Sequence, residues 1–131
     1  VPVIRGVDTM SIESIAQALQ QTSQKARDGL LSPKEMQGAG MTISSLGGIG
    51  GNYFTPIVNA PQVAILGIGK ASMQPEWDGV GFKPKLMMPV SLSYDHRVID
   101  GAEAVRFLVD FGKTLHTMHE TTLVEGLASD Y

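Results

Sequence analysis

The run Val90-Ser91-Leu92-Ser93-Tyr94-Asp95-His96-Arg97-Val98-Ile99-Asp100-Gly101 decides the fold. It begins as an apolar strand and ends at the start of a helix. Beyond Asp100 the apolar residues Ala104, Val105, Leu108, Phe111 and Leu115 recur at helical spacing. Asp100 reads as the N-cap, with Glu103 at the capping-box position. Upstream, Lys85 to Tyr94 reads as one long apolar strand interrupted by Pro89. Because proline has no N–H to donate, that strand is expected at an edge or at a bulge.

Working outward, Gln62 to Ile68 is a nearly continuous apolar run, the pattern of a strand covered on both faces. Trp77-Asp78-Gly79-Val80 offers an Asp-Gly hairpin turn. Met41 to Ser45 reads as a strand that the cluster Gly47-Gly48-Ile49-Gly50-Gly51 breaks. Ser32-Pro33-Lys34-Glu35 combines a capping box with proline at the first helical position. Ser11 caps a helix expected to run to about Asp28, with Gly29 as its stop. Val1 to Val7 reads as a short strand. Strands alternating with helices favour an α+β or mixed α/β fold, a mixed sheet with helices packed on it.

The 131 residues make one domain at most, long enough to bury a real core. A formal net charge of −3 without a basic stripe argues against nucleic-acid binding. No apolar run approaches the ~20 residues of a membrane span. The chain opens on Val1 rather than methionine, which suggests a fragment or a processed product. There is no cysteine, so the protein supplies neither a disulfide nor a thiol nucleophile. Any thiol chemistry here uses thiols of the substrates.

An imidazole such as His96 is the side chain suited to taking a proton near neutral pH, and a carboxylate nearby, here Asp100, can orient the ring. On spacing alone the plainer reading, a surface histidine beside an ordinary helix cap, is favoured. Ser44 and Ser45 lie at a strand end, where a hydroxyl can donate to a developing oxyanion; they also read as turn serines. The glycine cluster is not a phosphate loop, because it leads into Asn52-Tyr53-Phe54-Thr55-Pro56 and not into a helix with Lys-Ser/Thr. His116 and His119 lack a convincing third metal ligand. The seven methionines read as core filler, or as the lining of a slot for a flexible aliphatic arm.

With these residues in hand, a family resemblance emerges. Asp95-His96-Arg97-Val98-Ile99-Asp100-Gly101 is similar to the C-terminal active-site signature of the dihydrolipoyl acyltransferases, the core components of the 2-oxo acid dehydrogenase complexes. Met41 to Gly51 resembles that family's second active-site motif, and Thr55 to Gly67 resembles the stretch that follows it. Ser45-Leu46-Gly47, Phe54-Thr55-Pro56 and the run from Met73 to Trp77 resemble the acetyl-transferring, pyruvate dehydrogenase branch.

The resemblance implies a fold like chloramphenicol acetyltransferase, and it makes residues 1–131 the C-terminal part of a catalytic domain truncated at its N-terminus. It implies acetyl transfer between dihydrolipoamide and coenzyme A, both as substrates, with no metal and with the lipoyl group attached elsewhere. His96 would be the general base, Ser44 the oxyanion donor (Ser45 its less favoured neighbour), and Asp100 a group that holds the region in its working geometry. The implied partners are two further copies in a homotrimer, with histidine and serine contributed from opposite sides of an interface, then a larger core assembly and lipoyl domains. The pyruvate dehydrogenase and dihydrolipoamide dehydrogenase components would be met through regions outside these residues. The implied compartment is the bacterial cytoplasm or the mitochondrial matrix. The tail from Thr121 is more polar than the family's usual ending. A second class stays open beside the enzyme: a shortened, non-catalytic scaffold subunit of the complex core.

Overall fold

Ala64 to Ile68 forms β2, the central strand of a three-stranded sheet, and its first four residues are buried. The computed structural model that shows this describes residues 1–118. β1 (Thr42–Ser45) runs parallel to β2 on one side, and β5 (Val90–Tyr94) runs antiparallel on the other. The central place of β2 agrees with its unbroken apolar run, and β5 is an edge strand of this sheet. The expected single strand from Lys85 to Tyr94 is corrected. It is two strands, β4 (Phe82–Met87) and β5, which belong to different sheets. Pro89 lies in the break between them, where its carbonyl accepts the Gly69 N–H at 2.9 Å and no donor is required of it.

β4 pairs with β3 (Ser72–Trp77) as a two-stranded antiparallel hairpin. The expected Asp-Gly turn closes it: the Asp78 carboxylate accepts the N–H groups of Val80 and Gly81, each at 2.9 Å, and Gly79 takes φ 100°. Lys83 bonds the same carboxylate at 2.6 Å and, with the turn N–H groups, lowers its pKa to about 2. The register separates the two faces of this hairpin completely. Met73, Pro75 and Trp77 share one face with Phe82, Pro84 and Leu86. Ser72, Gln74 and Glu76 share the other with Lys83, Lys85 and Met87, where Lys85 pairs with Glu76. The apolar face is open: Phe82 is 72 % exposed and Leu86 69 %.

These elements and the first residues of α2 (Gly101–Thr117) make up one compact unit, residues 40–106. A second unit comprises, among the described residues, 1–39 and 107–118. Its principal helix is α1 (Ile12–Arg27), capped by the Ser11 hydroxyl, which accepts the Ser14 N–H at 3.1 Å. The helix stops at Gly29 (φ 69°), with bonds from Gly29 to Ala26 and from Leu30 to Lys25 that satisfy the last carbonyls. Ser32 opens a 3₁₀ turn (Pro33–Met36) and donates to the Glu35 carboxylate from both its N–H and its hydroxyl. Those bonds, with Lys25 at 3.0 Å, hold Glu35 at about 2.

The expected strand at Val1 to Val7 is not present. Val3 N–H makes one bond, to the Glu35 carbonyl, and Arg5 is held by the carbonyls of Lys34 and Gln37. With no partner strand, two tethers of this kind leave the segment extended but without a ladder, and Val7–Thr9 closes a 3₁₀ turn. Two more expectations are corrected. Among the described residues the buried apolar side chains are few: Pro56, Ala64, Ile65, Leu66 and Ala104. The methionines do not fill that core, since Met36, Met73, Met87 and Met88 are exposed.

Candidate active site

β5 ends at Tyr94, and the turn that follows carries His96. Asp95 ties that turn together through its backbone and its side chain. Asp95 N–H donates to the Val63 carbonyl at 2.8 Å, which fastens the turn to the residue preceding β2. The Asp95 carbonyl accepts from Val98 and Ile99, each at 3.0 Å. Its carboxylate accepts the Arg97 N–H at 3.0 Å, Arg97 Nε at 2.9 Å and Arg97 Nη2 at 2.6 Å. The Arg97 guanidinium and N–H hold the Asp95 carboxyl at about 2, and the same pairing raises the pKa of Arg97. The carboxylate is therefore ionised throughout the neutral range.

The imidazole of His96 is exposed and stands against the Tyr94 ring, centroids 5.6 Å apart and tilted by 42°. Asp100 sits where expected, as the N-cap of α2. Its Oδ1 accepts the Glu103 N–H at 2.8 Å, and Glu103 returns a bond to the Asp100 N–H at 3.3 Å. No hydrogen bond joins His96 to Asp100 among the described residues. Asp100 therefore fixes the start of α2 and, through it, the end of the turn; it does not orient the ring directly.

Ser44 lies on β1 opposite Gly67, which lies opposite Ser91 on β5. Paired residues share a face, so the hydroxyls of Thr42, Ser44, Ser91 and Ser93 line one side of the sheet. Ser44 is half-buried there. Ser45 is exposed and points to the opposite face. The glycine at 67 gives Phe54 room: a methyl at that position would come 2.9 Å from Phe54 Cζ. The Phe54 carbonyl accepts the Ser91 hydroxyl at 2.7 Å.

The structure brings His96 and Asp100 to one turn but does not bring Ser44 to them. Ser44 is level with Ser91, and β5 runs from there to Tyr94 before the turn begins, roughly 10 Å along the strand. His96 and Ser44 thus occupy opposite ends of the sheet within one chain. Sequence reasoning gave no role to Asp95, Arg97 or Tyr94, although all three flank the histidine. The two-residue spacing of an acidic and a basic residue around His96 was the available signal. Among the described residues no cluster of three or more metal-ligating side chains occurs, and His119 lies outside them.

The sequence profile of the 2-oxoacid dehydrogenases acyltransferase (catalytic domain) family matches residues 1–123. The chain belongs to that family. It is 55 % identical over 115 residues to the dihydrolipoyllysine-residue acetyltransferase component of pyruvate dehydrogenase complex of Cupriavidus necator, covering 88 % of this chain and 21 % of that protein. Among solved structures, the acyltransferase chain is similar to Azotobacter vinelandii dihydrolipoamide acetyltransferase, from work on a serine, a histidine and an asparagine in its catalytic mechanism. The identity is 60 %, the TM-score 0.87, and 89 % of this chain covers 48 % of that one. It is likewise similar to the cubic core of the pyruvate dehydrogenase multienzyme complex, at 60 % identity and TM-score 0.86, with 88 % and 47 % covered. The acyltransferase chain thus spans about half of the solved structures and about a fifth of the curated relative's length. The mixed-sheet, α+β expectation agrees with these neighbours.

Proposed function

We propose that residues 1–131 are the C-terminal part of an acyltransferase catalytic domain that transfers an acetyl group between dihydrolipoamide and coenzyme A. One observation carries the reading. His96 is an exposed imidazole on a pinned turn, and Ser44 and Asp100 stand at the same separations before and after it as the serine and asparagine stand from the histidine in the Azotobacter relative. Aspartate replaces asparagine here, and both serve equally as helix caps.

The chemistry follows from the groups present. His96 takes the proton from the attacking thiol, and the thiolate sulfur adds to the thioester carbonyl. The oxygen that becomes negative accepts the Ser44 hydroxyl. Collapse of the tetrahedral species expels the second thiolate, which recovers the proton from His96. A positioned base is typically worth about 10²–10⁴-fold and an oxyanion donor about 3 kcal/mol. Because His96 and Ser44 lie at opposite ends of one sheet, the complete site joins His96 of one copy to Ser44 of another, which supports a homotrimer, and beyond it a larger core. The lipoyl domains deliver the acetyl group, and the pyruvate dehydrogenase and dihydrolipoamide dehydrogenase components attach through other regions. The bacterial relatives support a cytoplasmic location.

The test is acetyl transfer from acetyl-coenzyme A to dihydrolipoamide, run with the whole protein and with residues 1–131. His96→Ala removes most turnover, and Ser44→Ala lowers kcat with KM little changed. Parental turnover in both variants rejects the roles. A folded whole protein with no transfer at all favours the non-catalytic scaffold.

A further inference from the structure

We propose that Asp95 and Arg97 form a clamp that positions His96, a role that rests on the reading of His96 as the base. His96 is the middle residue of the triplet, and its two neighbours are bonded to each other across it. Asp95 accepts from the backbone N–H of Arg97 and from two nitrogens of the Arg97 guanidinium, while its own N–H and carbonyl are engaged by Val63, Val98 and Ile99. The His96 side chain carries no hydrogen bond among the described residues, so nothing but the turn and the Tyr94 ring decides where the imidazole points.

An exposed ion pair of this kind contributes little to stability, and the Arg97 side chain is 88 % exposed. Its geometry serves a different end. A planar guanidinium gripping a carboxylate through Nε and Nη2 permits one relative orientation, which a point charge does not. With residues 95 and 97 locked, the backbone of His96 has no independent freedom. A reacting group displaced by about 1 Å loses roughly 10²-fold in rate, so a base on an exposed turn needs such a constraint. The carboxylate stays ionised at every pH at which a thiol-deprotonating base works, so the clamp does not open in that range.

The experiment uses the whole protein and the acetyl-transfer assay. Asp95→Ala removes every acceptor on that side chain and lowers kcat roughly 10- to 100-fold while KM stays within about twofold. Asp95→Asn keeps an oxygen for the Arg97 N–H but breaks the two-point grip, and recovers only part of the loss. Arg97→Gln leaves the N–H bond intact but removes the fork, and gives an intermediate kcat; it carries the test if Asp95→Ala does not fold. The deciding comparison is the same substitution in a His96→Ala background. A positioning residue that acts through the imidazole has no further effect once the imidazole is gone. Equal losses in both backgrounds, a loss expressed in KM, or an unchanged kcat overturn the clamp. Parental turnover in His96→Ala alone rejects the functional reading instead, so the two failures are told apart.

Discussion

Replacing Gly67 by alanine tests how the hydroxyl face of the sheet is built. Gly67 is buried at the centre of β2, between Ser44 and Ser91. Its backbone is ordinary extended strand, so any penalty comes from space and none from φ. A Cβ there would stand 2.7 Å from Ser91 Oγ and 2.9 Å from Phe54 Cζ, both well inside normal contact. Relief requires Ser91 to rotate away, which breaks its bond to the Phe54 carbonyl, or the Phe54 ring to move. Overpacking of this kind costs about 1–3 kcal/mol, and the lost hydrogen bond about 0.5–1.5. The expected destabilisation is therefore about 2–4 kcal/mol. Urea denaturation of parent, Gly67→Ala and the double variant Gly67→Ala/Ser91→Ala measures it. The double variant removes the closer obstacle and is less destabilised than the sum of the two single changes. Gly48→Ala is the control: nothing lies within 4 Å of its Cβ, and it stays close to the parent. A Gly67→Ala protein within about 0.5 kcal/mol of the parent refutes the packing argument. So does a double variant that shows simple additivity.

Leu66 is 2 % exposed at the middle of a small core, so Leu66→Ala costs about 2–5 kcal/mol by chemical denaturation. Asp100→Ala removes the cap of α2 and costs about 1 kcal/mol, whereas Asp100→Asn keeps it and stays near the parent in thermal melts. Glu35 has a folded value of about 2 against an ordinary 4.5, so its contribution is complete above about pH 5 and fades as pH falls toward 2. Denaturation across that range shows parent and Glu35→Gln converging at the acid end; a constant gap contradicts the assignment.

Local chemistry made several elements legible. The Ser11 cap, the Gly29 stop, the Ser32–Glu35 box, the Asp78-Gly79 turn and the Asp100–Glu103 box each rest on interactions within a few residues, and each is where its residues place it. The central strand was legible because a run buried on both faces has no polar positions. What failed depended on partners. Val1 to Val7 has strand-forming residues but no strand to pair with. The Asp78-Gly79 turn was read without the strand before it: β3 carries Pro75, which lies opposite Pro84 across the hairpin. Met73 and Met87 look like core residues in a list and lie on a hairpin with no core beneath it. At the site, His96 and Asp100 were legible from a motif. The separation of Ser44 from them was not, because it follows from the antiparallel register of β2 and β5.

That register has a genetic consequence. If the serine end of one chain serves the histidine end of another, a His96→Ala chain still carries a sound serine end, and a Ser44→Ala chain a sound histidine end. Two proteins that are each impaired then recover transfer when co-assembled, because some junctions pair the intact halves. A chain carrying both substitutions cannot be rescued by a copy of itself, and it poisons junctions on both of its sides. Complementation between two defective alleles, and dominance of the doubly defective one, are the marks that a strand order would leave on a cell.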